Sequence, residues 1–226
     1  LCRQNLAPIL RETKGSDLNA KTLSKYVDAL EKVVDDMNVC RGVSILKGDN
    51  IKELFECSNQ LSEVIIEPMK PIVGRLKDSF ANFMPSENIK NGYFAAKWCL
   101  DNQLYQQSLT ILHETIVSHI CENEGLSIFN ETERGIVNKS FKIYIDNIEK
   151  EKWNCKENQF QLIEKALNNE YLKILAPTFK VTTNLRNDYN HAGMRSNPAK
   201  RTGLISNLKE RLEKILLMIE DQTICS

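Results

Sequence analysis

The sequence has no surplus of charge: thirty Lys and Arg stand against thirty Asp and Glu, a formal net charge of zero. That balance excludes a whole-molecule field drawing the chain to nucleic acid or anionic lipid, so any polyanion must be met by a local patch. Paired cysteines are missing as well. The seven cysteines (Cys2, Cys40, Cys57, Cys99, Cys121, Cys155 and Cys225) are odd in number and scattered, with no C-x-x-C pair. This argues against a disulfide frame or a zinc site, and for free, mostly buried thiols in a cytoplasmic chain. The longest apolar clusters, "SEVIIEPMKPIVG" and "KILLMIE", fall far short of the roughly 20 residues a bilayer crossing requires, which excludes a transmembrane span. The N-terminal "LCRQNLAPILRETKG" places charge too early in its apolar run and lacks a small-residue cleavage site, so it is not a signal peptide. The chain begins at Leu1 rather than Met, as a piece of a longer protein would.

Several catalytic signatures are absent too. There is no Walker-type glycine-rich loop, no G-x-S-x-G elbow and no carboxylate cluster of the kind that holds magnesium, so no cofactor or metal is expected. His113 and Glu114 open an "HE" pair, but the second histidine of a zinc-protease helix would fall at Val117, and His119 lies on another face. His113 and His119 therefore read as helix-surface or core-edge residues. Trp98 and Cys99 fall on the wide apolar face of a helix and read as packing.

What the chain does have is apolar periodicity of helical type. In "SDLNAKTLSKYVDALEKVVDDMN", residues Leu23, Tyr26, Val27, Leu30, Val33, Val34 and Met37 recur at spacings of three and four, with Ser16 or Asp17 as the candidate N-cap. A second long segment, about 50 to 83, keeps that period but contains Pro68 and Pro71, which should bend it or split it in two. Further helices are expected at about 93–101, 104–121, 131–150, 158–169, 171–185 and 198–221, the last with an apolar face of Leu204, Leu208, Leu212, Ile215 and Ile219. "FKVTTN" is the best β-branched run and reads as helix or connection. The fold class is thus all-α, with no substantial sheet. The composition changes at "MPSENIKNG", which divides the chain into an N-terminal helical part, residues 1–90, and a C-terminal helical domain, residues 91–226.

One short segment stands apart. "TNLRNDYNHAGMRSNPAKR" gathers Arg186, Asn187, Asp188, Tyr189, Asn190 and the last of three histidines, His191. In a continuous helix Asn187 and His191 would share a face, with Arg186 turned about 140° from His191. Gly193 and Pro198 place the helix end here, where side chains fan over open surface. Arginine, histidine and amides without a metal suit cleavage of RNA, whose 2′-hydroxyl already sits beside its own phosphate. An imidazole can act as general base or acid, a guanidinium can fork onto two phosphate oxygens, and Asn187 can hold the phosphate or orient the ring. DNA, lacking the 2′-hydroxyl, would be spared. In the alternative reading, Arg186 pairs with a carboxylate such as Asp188 or Glu170, and His191 caps the helix C-terminus.

"LRNDYNHAG" resembles the R-N-x-x-x-H signature of HEPN ribonuclease domains. The upstream "AAKWCLDNQLYQQSLTILHETI" is similar to the helical segment preceding that signature in CRISPR-associated CARF-HEPN proteins, the ancillary ribonucleases of type III antiviral systems. Together the two cover about residues 92–222. The resemblance implies an HEPN-type helical bundle, with Arg186 and His191 as the catalytic pair and Asn187 as their polar companion. It also implies metal-independent cleavage of single-stranded RNA to 2′,3′-cyclic phosphate ends, by a homodimer whose two motifs share one cleft. The family's sensor, a CARF domain that binds cyclic oligoadenylate, is an α/β fold, and no such pattern occurs here. Residues 1–90 then serve as the connector. Asn190, Arg195, Lys200 and Arg201 are expected to contact RNA; with Lys180 and Arg186 the basic residues form a small patch, so binding should be weak and strongly salt-dependent. A non-catalytic module using the same helices for dimerisation, or for binding a nucleotide or partner, is the competing expectation.

Overall fold

A computed structural model describes residues 18–64 and 70–224, and among them it is helical throughout: ten α-helices, a short 3-10 turn and no strand. Cys2, Ser16, Asp17, Pro68 and Cys225 lie outside the described residues. The chain divides into two compact units, with the border between Trp98 and Cys99.

The first unit holds α1 (Leu18–Asn38), α2 (Gly42–Lys47), α3 (Asp49–Val64), α4 (Lys70–Phe80) and most of α5 (Lys90–Asp101). The periodicity of α1 does what it predicts, burying Tyr26, Val27, Val33 and Met37, and α1 packs along α3. Of the long proline-containing segment the described residues form α3, to Val64, and α4, from Lys70. Pro71 sits in the first turn of α4, where its missing N–H costs nothing. The short α2 lacks the length to show a period and was not expected from sequence. It ends at Gly48 in the left-handed region (φ 74°), close under another segment: a β-carbon there would lie 2.6 Å from the carbonyl oxygens of Met84 and Ser86. Buried Asn91 braces that segment, accepting from the Met84 N–H (2.7 Å) and donating to the Met84 carbonyl (3.0 Å) and the Ser86 carbonyl (3.2 Å). Phe80 stacks on Trp98 at 5.7 Å between ring centroids, so Trp98 packs as expected.

The second unit is built around α6 (Tyr105–Asn123), which is buried on nearly every side from Ser108 to Cys121. Around it lie α7 (Glu131–Asp146), α9 (Glu170–Asn190) and α10 (Arg201–Glu220), with α8 (Glu157–Asn168) on α7. Phe141 of α7 and Phe179 of α9 stack at 4.1 Å. The expected face of α10 is the buried one, Leu204, Leu208, Leu212, Ile215 and Ile219. Asn130 and Asn169 cap α7 and α9, each accepting two backbone N–H bonds of the first turn. Helix α9 runs five residues beyond the expected 185, and "FKVTTN", read as helix or connection, lies inside it as helix. Thr182 supplies part of the reason: its hydroxyl bonds back to the Thr178 carbonyl (2.9 Å), satisfying a buried β-branched polar side chain inside the helix. Helix α7 stops at Asp146, short of the expected 150, because Asn147 takes the left-handed conformation (φ 48°).

Of the five described cysteines all are free, but only Cys99 and Cys121 are buried, while Cys40, Cys57 and Cys155 are partly exposed, fewer buried thiols than expected. No helix among the described residues is long and apolar enough to cross a membrane.

Candidate functional site

Helix α9 carries the polar segment as a helix end. Asn190 is its last residue and His191 its C-cap, exposed, with its N–H bonded to the Asn187 carbonyl at 3.1 Å. The chain then turns through two left-handed residues, Ala192 (φ 52°) and Gly193 (φ 69°). The Ala192 N–H bonds the Tyr189 carbonyl (3.0 Å) and the Gly193 N–H the Asp188 carbonyl (2.9 Å), the paired bonds of a Schellman ending. The expectation from Gly193 is thus met one residue off: Gly193 follows the residue that closes the helix, and that residue is an alanine.

Three helices of the second unit bring charged groups to one carboxylate. Arg186 is not paired with Asp188 or Glu170; its Nη1 donates to Glu114 Oε1 of α6 at 2.7 Å. The other oxygen, Oε2, accepts from Arg134 Nη2 of α7 at 2.6 Å. Arg134 is itself held by the Ser118 hydroxyl (2.8 Å) and the Ile128 carbonyl (3.1 Å). His113 belongs to the same cluster. It is buried (5% exposed) against the Phe179 ring at 4.8 Å, and its Nδ1 lies 3.0 Å from Arg186 Nη1 and 3.3 Å from Glu114 Oε1. A guanidinium can only donate, so the neutral ring accepts from Arg186, and a protonated ring would face Glu114 as a donor. The sequence reading of His113 as a surface or core-edge residue is corrected: it is a buried member of the cluster. His119 is corrected likewise; it is fully buried, stacked on Tyr171 at 5.5 Å, and burial pulls its imidazole down to about 4.

The cluster's electrostatics favour an ionised carboxylate. Burial would push Glu114 up, yet its His113, Arg134 and Arg186 contacts outweigh that and hold it at about 2. Two guanidiniums share one carboxylate, so the group keeps a net positive charge at the α9 end.

The remaining expected residues sit around the turn. Asp188 is buried and ties the loop back, its Oδ2 accepting from the Ala199 N–H (3.3 Å) and its Oδ1 facing Arg195 Nε (3.8 Å). Glu170 pairs with Lys173 instead (2.6 Å). Asn190 Oδ1 accepts from Gln106 Nε2 at the start of α6 (3.3 Å). Lys200 and Arg201 are exposed at the start of α10, and Asn187 is exposed on α9. The structure therefore brings Arg186 together with Glu114, Arg134 and His113, and leaves His191, Asn187, Arg195, Lys200 and Arg201 on the surface of the same helix end and loop.

Nothing matches. No protein-family model, curated protein or solved structure is similar to this chain. Among the described residues no three His, Cys, Asp or Glu side chains are gathered as a metal site would need.

The residues that sequence reasoning missed are Glu114 and Arg134. A signal for the first was present: Glu114 is the one charged residue between Leu109 and Cys121, and a carboxylate in so apolar a stretch must find a cation. Nothing local marks Arg134, whose partners lie a helix away.

Proposed function

We propose that this chain is a metal-independent endoribonuclease of the HEPN type, acting on single-stranded RNA. One observation carries the reading: a single helix end holds an exposed imidazole, His191, five residues from a partly exposed guanidinium, Arg186, that is anchored through Nη1 and keeps Nη2 for a ligand.

In this mechanism the ribose 2′-hydroxyl attacks the adjacent phosphorus and the 5′-oxygen leaves. The products are a 2′,3′-cyclic phosphate and a 5′-hydroxyl. His191 takes the 2′-hydroxyl proton or delivers one to the leaving oxygen. Arg186 meets the charge that builds on the non-bridging oxygens, where a guanidinium fork matches two of them. Asn187, exposed beside His191, holds the phosphate or the ring; Asn190, Arg195, Lys200 and Arg201 steady the strand. One arginine and one histidine per chain are few for both proton transfers, and a homodimer doubles them. A cytoplasmic role in type III CRISPR defence, with cyclic oligoadenylate acting through a CARF domain outside these residues, goes with the reading.

The competing reading, a non-catalytic helical module, draws on the same pairing, since Glu114 would hold Arg186 in a purely structural ion pair as well. The test is cleavage of labelled single-stranded RNA in EDTA, with DNA as control. His191→Ala and Arg186→Ala should each lower the rate by about 10²-fold or more. Undiminished cleavage by His191→Ala would remove that residue from the mechanism, and an inert wild-type protein would favour the module.

A further inference from the structure

We infer that Glu114 is a positioning residue that orients the Arg186 guanidinium, gripping Nη1 and turning Nη2 toward substrate phosphate. The inference rests on the ribonuclease reading for its function, but its geometry is independent of it.

A guanidinium has five N–H donors on three nitrogens. Arg186 Nη1 donates one hydrogen to Glu114 Oε1 at 2.7 Å, and His113 Nδ1, 3.0 Å away, takes the other when its ring is neutral. Nε is buried and has no partner within the chain, while the side chain as a whole keeps 26% of its surface exposed. With Nη1 engaged and Nε buried, Nη2 is the nitrogen left to meet a ligand. Its hydrogens can donate to phosphate oxygens.

Glu114 is fitted to this task by what holds it. Its second oxygen is fixed by Arg134, and Arg134 is fixed by Ser118 and the Ile128 carbonyl. The grip therefore extends from α7 through α6 to α9, a chain of bonds between packed helices rather than a contact between two flexible side chains. Glu114 keeps 44% of its side chain exposed, but Arg134 already holds its Oε2, so less rotamer freedom is lost when Oε1 takes Arg186. The Phe179 ring, 4.8 Å from the His113 ring, packs against that imidazole.

The charge consequence separates positioning from simple scaffolding. Replacing the carboxylate by an amide of the same size frees the guanidinium to rotate and leaves its charge less compensated. Phosphate should then bind as well or better, while the aligned geometry needed at the transition state is lost. A fold defect does neither; it lowers the active fraction and leaves the apparent affinity of the survivors alone.

The experiment compares wild type and Glu114→Gln in the full chain. RNA cleavage in EDTA should show kcat lowered on the order of 10²-fold with KM unchanged or reduced, and thermal melting should report the folded fraction. In parallel, ¹⁵N NMR of arginine side chains should show hindered rotation at Arg186 in wild type and free rotation in Glu114→Gln. A kcat that falls only in proportion to the folded fraction overturns the proposal. So does a cleaving wild type whose Gln variant keeps its kcat. An inert wild type refutes the ribonuclease reading instead; the side-chain spectra of wild type alone still decide the grip, and freely rotating Arg186 there overturns it even if the variant does not fold.

Discussion

Glu114 and His119 occupy one helix and are both shifted down, Glu114 because its cationic neighbours favour the charged form and His119 because burial favours the neutral one, and each makes a pH prediction of its own. The Glu114 carboxyl stands at about 2 in the folded chain against an ordinary 4.5. A depressed carboxylate adds stability that is complete above the unfolded value and is lost as pH falls through the folded one. Denaturant unfolding should therefore show wild type and Glu114→Gln converging as pH drops from about 4.5 toward 2; a gap independent of pH would mean the ion pairs contribute nothing. His119 is also depressed, to about 4 from 6.5, but as a base. The unfolded chain takes up its proton first, so stability falls as pH drops from about 6.5 to about 4, by about 3 kcal/mol at most. His119→Leu, which keeps an apolar side chain in that buried place, should flatten the curve over this interval. A curve of unchanged slope would place His119 in water.

At the scale of elements, α9 is the most demanding helix. It carries Pro177 in its interior, which deprives one turn of a donor, and it closes on Ala192 in a conformation that favours glycine. Ala192→Gly should stabilise the second unit by about 1 kcal/mol, because glycine enters the left-handed region without the β-carbon penalty. Urea unfolding reads this directly, and a loss of stability would show that Ala192 is held there by favourable packing. The α2–α3 junction makes the opposite demand. Gly48 is left-handed and meets two carbonyl oxygens at 2.6 Å from where a β-carbon would stand. Gly48→Ala should cost about 2–3 kcal/mol in the first unit, seen as a lowered melting temperature. An unshifted transition would show that the Met84–Ser86 segment yields.

For the molecule as a whole, the ribonuclease reading requires that two copies act together. Arg186→Ala and His191→Ala are each expected to be inactive, yet a mixture of the two contains heterodimers with one intact arginine and one intact histidine. If those residues meet across a two-fold axis, the mixture should recover a measurable share of wild-type cleavage. Absence of any recovery, with subunit exchange verified by mass, would confine each site to a single chain.

Periodicity along the chain was enough to establish an all-helical protein, most helix positions and the buried face of α10, because a 3.6-residue repeat of apolar side chains needs only its neighbours to be recognised. The polar character of residues 183–201 and the end of a helix near Gly193 were legible for the same reason, since turn chemistry is local. The short α2 carried too few residues for a period, and the last turn of α9, residues 186–190, was not expected as helix because its polar composition reads locally as a helix end. The partner of Arg186 was beyond any local rule. Asp188 lies two residues away and Glu170 on the same helix, yet Asp188 is committed to the loop and Glu170 to Lys173. The carboxylate that reaches the guanidinium is 72 residues distant in the chain, and helix packing alone sets them 2.7 Å apart.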